Sequence, residues 1–143
     1  MNKTLLLLLA LLLPAVASAA DWLALGAIPE AHVFVDEGSL QVIGDDAVMA
    51  RVKLVYNRIQ PAQTISQGSP FDSSINQYYL VCSTQKYQVL ELTVFYNNKQ
   101  VGSFHANPDP ARMDQAQLGT GIMLLARKVC PKLKPGPAHT RGG

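Results

Sequence analysis

The chain has 143 residues, 48% of them apolar and 15% charged, with a formal net charge of +2 at neutral pH. That apolar fraction excludes a disordered chain, and the length suits one folded domain with a real core rather than a multidomain enzyme.

The first nineteen residues stand apart. Lys3 is their only charge, the runs Leu5–Leu9 and Leu11–Leu13 follow, and Ala17-Ser18-Ala19 offers small side chains for cleavage. This is the pattern of a secretory signal peptide over residues 1–19. The apolar stretch is shorter than the ~20 residues that span a bilayer. No cysteine stands at the cleavage site, so neither a transmembrane segment nor a lipid anchor is expected in the mature chain.

From Ala20 onward the apolar residues alternate mainly with period two. Trp22–Leu25, closed by Gly26, reads as a first strand, and His32–Asp36 as a second. Leu40–Ile43 and Ala47–Ile59 flank Gly44-Asp45-Asp46, which reads as a hairpin turn. In the longer arm Val48, Ala50, Val52, Leu54 and Tyr56 share the face expected to meet the core, opposite Met49, Arg51 and Lys53. Gln60–Asp72, with Pro61 and Pro70 among polar residues, reads as a long exposed loop. Ser74–Cys82 resumes as a strand with Tyr78, Leu80 and Cys82 on one face. Tyr87–Tyr96 pairs with it, with Leu90, Leu92, Val94 and Tyr96 on one face. Asn97-Asn98-Lys99 turns into a last strand, Val101–His105, so the strands form an antiparallel meander.

The period then changes. Ala106–Leu118 is a proline-containing connector. After Thr120, a candidate N-cap, Ile122, Leu125, Ala126 and Val129 follow helical spacing until Pro131 ends the helix. Residues 131–143 read as a flexible basic tail, leaving 20–130 as a single domain. Charge is uneven: seven acidic and three basic residues lie in Ala20–Asp72, against three and eight in Ser73–Gly143. The bases form no aromatic-lined stripe, and an exported protein rarely meets nucleic acid, so no nucleic-acid partner is expected.

Export also bears on Cys82 and Cys130, the two cysteines. In an oxidising compartment an intramolecular disulfide is the default reading, ahead of a metal or redox pair. It would pin the helix across the sheet. In the chain-entropy model, closing such a loop gives roughly 4 kcal/mol.

Catalytic motifs are thin. There is no nucleophile elbow, no His-Glu-x-x-His and no phosphate loop. His32 and His105 sit at strand ends, where solvated surface histidines are common. Asp36, Asp45 and Asp46 sit beside turn glycines and read as turn residues. No cofactor is expected. Trp22 reads as core. Tyr78 and Tyr79 point to opposite sheet faces, so one of them is free for contact.

Trp22-x-x-Leu25-Gly26, Val33-x-Val35-Asp36-x-x-Ser39-Leu40 and the turn at Gly44 occur in an order that resembles the opening of the surface-adhesin protein E family of Gram-negative bacteria. Cys82, Phe95-Tyr96, Gly119-Thr120 and Val129-Cys130 continue it. The resemblance covers about Asp21 to Cys130. It implies an α+β fold: an antiparallel sheet of about six strands with a C-terminal helix tethered to its concave face by Cys82–Cys130. Family members often carry Asp directly before the first cysteine, where this chain has Val81. The resemblance also implies binding of matrix and plasma proteins and, for some members, haem.

The leading expectation is therefore an exported, non-enzymatic domain binding a protein ligand at the cell envelope or outside the cell. Its alternative is a periplasmic module recognising another envelope component, and behind that stands an exported enzyme with residues converging from separate strands. Candidate contacts are Phe71 in the loop, Tyr79 on the sheet, and Lys132 and Lys134 in the tail.

Overall fold

A computed structural model describes residues 19–133, which hold eight antiparallel strands, one α-helix and three short 3-10 turns. Most of the expected signal peptide, and the tail from Lys134 onward, lie outside those residues. Strands β1 (Trp22–Ile28), β2 (Ala31–Asp36), β4 (Ala47–Gln60), β5 (Phe71–Val81), β6 (Lys86–Tyr96) and β7 (Lys99–His105) form one continuous sheet in the order β1-β2-β4-β5-β6-β7. Two short strands complete its edges. β3 (Gln41–Ile43) pairs with the start of β4, and β8 (Asp114–Gln115) pairs with the start of β6. The six expected strands are thus the main path of an eight-stranded sheet, followed by the helix α1 (Gly121–Val129).

The turns follow from their residues. Asn97-Asn98 joins β6 to β7 with φ of +48° and +61°, the left-handed geometry of a two-residue hairpin, which asparagine tolerates. Gly44 takes φ +60° between β3 and β4. Asp46 in the same turn accepts from the backbone N–H of Ser83 at 2.9 Å and from its hydroxyl, while its carbonyl accepts from Cys82 N at 2.7 Å. Its side chain thus ties the β3–β4 turn to the start of the β5–β6 turn.

Helix α1 covers one face of the sheet. Ile122, Leu125, Ala126 and Val129, the predicted stripe, are buried together with Met123. They pack with Val33 and Val35 of β2, Val48, Ala50, Val52 and Leu54 of β4, and Tyr78 and Leu80 of β5. A methyl group added at Gly121 would already touch Val33 and Leu54, so the helix begins close against β2 and β4. Thr120 holds the N-cap position but does not cap with its side chain; its hydroxyl donates to the Gln117 carbonyl at 2.6 Å instead. The disulfide Cys82–Cys130 joins the end of β5 to the end of the helix, with 5.4 Å between the Cα atoms.

Three expectations are corrected. First, β1 does not stop at Gly26: it crosses a bulge at Leu25, where Gly26 takes φ +141°, and runs to Ile28. Second, the face expected for β6 switches at a bulge. Gln77 pairs with Glu91 but Tyr78 with Val89, so Leu90 is the extra residue, and Tyr87 and Val89 rather than Leu90 pack against the helix-side core.

Third, the segment after Gln60 is a loop, exposed at residues 61–64, 67 and 68, but it is shorter and more closely held than expected. Phe71 already opens β5, and residues 61–70 fold back against β7. A turn with Ser66 N bonded to the Gln63 carbonyl at 3.1 Å orders the segment, and Ser66 is fully buried. Its hydroxyl accepts from Gln63 N at 2.9 Å. Phe71 is only 5% exposed and meets the Tyr56 ring edge-on, centroids 5.6 Å apart. Its apolar side chain is spent on folding, which removes it as an exposed loop contact.

Candidate functional site

The sheet face opposite the helix carries the candidate site. Register places its side chains in rows across the strands. Arg51 of β4 faces Gln77 of β5, Gln77 faces Glu91 of β6, and Glu91 faces His105 of β7. On the other side of Arg51, its guanidinium lies 3.7 Å from the Asp36 carboxylate. In the adjoining row, Phe34 pairs with Lys53, Lys53 with Ile75 and Ile75 with Thr93. The Lys53 ammonium sits 5.8 Å from the centroid of the Trp22 ring, a cation–π contact. Trp22 is therefore half-buried on this face under a lysine, not in the core as its strand pattern suggested.

A cleft of about 400 Å³ opens in the middle of the face. Arg51, Gln77 and Glu91 form one side, Ile75 and Thr93 the floor, and Phe95 with Gln100 the other side. Tyr79 lies further along the face, half-buried, between Met49 and Gln88 in register. Gln88 is buried because it anchors the connector: its amide nitrogen donates to the Asn107 carbonyl at 2.9 Å and its oxygen accepts from Asp109 N at 2.8 Å.

His32, His105 and Asp36, weighed for catalysis, are not gathered in one site; His105 has the cross-strand Glu91 beside it, and no hydrogen bond or ion pair joins the two. His32 lies in β2 and His105 in β7, and both are exposed. Asp36 is buried near the start of the described chain, where its carboxylate accepts from Asp21 N at 3.3 Å. Glu91 lines the central cleft, while His105 lines a separate one with Phe104 and Arg112. Among the described residues no group of three or more His, Cys, Asp or Glu side chains is placed to hold a metal ion.

Two tyrosines are perturbed on the helix side. Burial first, then the neighbouring Tyr87 and Tyr56, pushes the Tyr78 hydroxyl well above its ordinary value. Burial and the Asp114 carboxylate raise Tyr87 as well. Their rings meet edge-on at 5.7 Å.

Of the expected contacts, Tyr79 stands on the open face and Lys132 is exposed in a short 3-10 turn just after the helix. Lys134 lies outside the described residues. Arg51, Gln77 and Phe95 were not foreseen. The polar alternation of β4 marks Arg51 as outward-facing, but only cross-strand register brings the three together.

These features define a class: a disulfide-bonded α+β domain whose sheet is covered by a helix on one face and left open over β4–β6 on the other. The sequence model of the surface-adhesin protein E family matches residues 22–131, and the chain belongs to that family. No curated protein and no solved structure matches it. Among the described residues no helix is long and apolar enough to cross a membrane.

Proposed function

We propose that the chain is an exported, non-enzymatic binding domain that holds a protein ligand at the cell envelope or outside the cell. The observation that carries this reading is the family match over residues 22–131. The open sheet face supports it, since it gathers Trp22, Phe34, Tyr79 and Phe95 with Arg51, residue types on which protein contacts draw. The contact region is this face, and the basic tail with Lys132 and Lys134 is the competing contact, which would act through charge. Export rests on the signal-peptide pattern of residues 1–19, and binding is favoured over catalysis because His32 and Asp36 stand apart from His105 and Glu91, which face each other without a hydrogen bond.

Two measurements test the proposal. Labelling of intact cells with a membrane-impermeant reagent should modify the protein, whereas modification only after the outer membrane is opened would assign it to the periplasm. A panel of immobilised matrix and plasma proteins should yield at least one saturable ligand; none across the panel would remove the adhesin reading.

A further inference from the structure

We propose that the cleft on the open sheet face binds a neutral glycan carried by a protein partner. The inference rests on the binding-domain reading and names the ligand chemistry of that same face.

The chemistry of the lining leads to this ligand. Arg51, Gln77, Glu91, Thr93 and Gln100 present donors and acceptors of both kinds to one cleft. Their side chains make no hydrogen bond to another described residue, and Arg51 has only the loose 3.7 Å contact with Asp36. Gln88 and Gln115, by contrast, are spent on the fold: Gln88 holds the connector on both sides, and Gln115 donates to the Thr84 carbonyl at 3.0 Å. The hydrogen-bonding groups of the cleft are thus free to meet a ligand.

Charge selects against an ionic ligand. Arg51 and Lys53 balance Asp36 and Glu91 within two adjacent rows, so neither sign dominates. A ligand rich in hydroxyls matches such a balanced set, because each hydroxyl both donates and accepts. Phe95, flanked by Ile75, supplies a flat apolar surface for the C–H face of a sugar ring. Strand spacing of ~4.8 Å over β4 to β7 and a same-face repeat of ~6.8 Å make the cleft roughly 14 Å by 14 Å, suited to a short oligosaccharide. Its volume of about 400 Å³ agrees. Beyond the cleft, Trp22, Phe34 and Tyr79 extend the face with apolar surface that a free sugar would leave unused, which is the reason to assign the glycan to a protein.

The test is an amide-resolved NMR titration of the oxidised mature chain with mannotriose, N,N′-diacetylchitobiose and lactose, neutral units of protein-borne glycans. Cellotriose and an acetylated extended peptide of alternating Lys and Glu serve as the other arms. The proposal expects saturable shifts at Gln77, Glu91, Thr93 and Phe95 with at least one of the three sugars, nearly unchanged by salt. Gln77→Ala and Phe95→Ala, with unfolding midpoints near that of the parent, should each weaken the interaction by about tenfold. Three results would overturn it: no saturable shift with any of the three sugars, shifts that survive both variants, or saturation by cellotriose or the peptide alone. Because a protein ligand captured without its glycan would still satisfy the broader reading, the two proposals fail separately.

Discussion

Gly102 sits where β7 meets the folded-back segment, and a side chain there has nowhere to go. A Cβ at this position would overlap the backbone carbonyl of Ile65, which cannot yield without lifting residues 61–70 off the sheet. Gly102→Ala should therefore cost about 1–3 kcal/mol, the range for forcing a group into a packed site, and should make the 61–70 segment the first site of proteolytic cleavage. Denaturant midpoints and limited proteolysis read both effects. Unchanged stability with an uncut segment would contradict the packing described. Tyr78 and Tyr87 give a second residue-scale expectation. Both hydroxyls are raised on folding, Tyr78 chiefly by burial. Below the unfolded tyrosine value of ~10, both states keep the proton and stability is unaffected. Above it the unfolded chain ionises while the folded chain does not, so stability falls as pH rises past ~10. Ultraviolet absorbance should show late-titrating tyrosines in the folded protein, and Tyr78→Phe should flatten the alkaline loss of stability.

Among the elements, the helix and its disulfide were the most legible. The spacing of Ile122, Leu125, Ala126 and Val129 identifies the buried stripe, and Pro131 marks the end. The joining of Cys82 to Cys130 also follows, because the chemistry of export leaves two cysteines one partner each. Cys82→Ser should lower stability by about 2–5 kcal/mol, and reduction of the parent should have a similar effect; equal urea midpoints for the oxidised and reduced chains would contradict it. Elements decided by tertiary contact were not legible. Phe71 lies next to prolines and polar residues in sequence, and only its meeting with the Tyr56 ring reveals it as core. The bulge at Leu90 leaves the hydrophobic alternation of β6 intact as text while turning Tyr87 and Val89 to the helix side. β8 is two residues long, recognisable only by its pairing with Lys86 and Tyr87. The candidate site falls between these cases. The outward set of β4 was readable, whereas the row from Arg51 through Gln77 to Glu91 depends on register across three strands.

At the scale of the whole molecule, the two faces of the sheet have different tasks. One is closed by α1, by the segment before Phe71 and by the disulfide, which together supply the rigidity of a small domain. The other keeps its polar and aromatic side chains available, and we propose that ligand contact occurs there. A rigid sheet suits such contact because it presents fixed side chains at little cost in ordering. Contact at the open face and contact through the basic tail differ in their salt response, since attraction between solvated charges acts over a Debye length of about 8 Å at physiological ionic strength and is screened above it. The most direct measurement is saturation binding of the mature chain to a protein ligand found in the panel, for the parent, a Gln77→Ala/Tyr79→Ala variant and a truncation after Leu133, across a salt series. The account predicts that the truncated chain binds like the parent at high salt while the double variant loses most of its affinity. A double variant that folds and binds like the parent, or binding that vanishes on truncation, would contradict it.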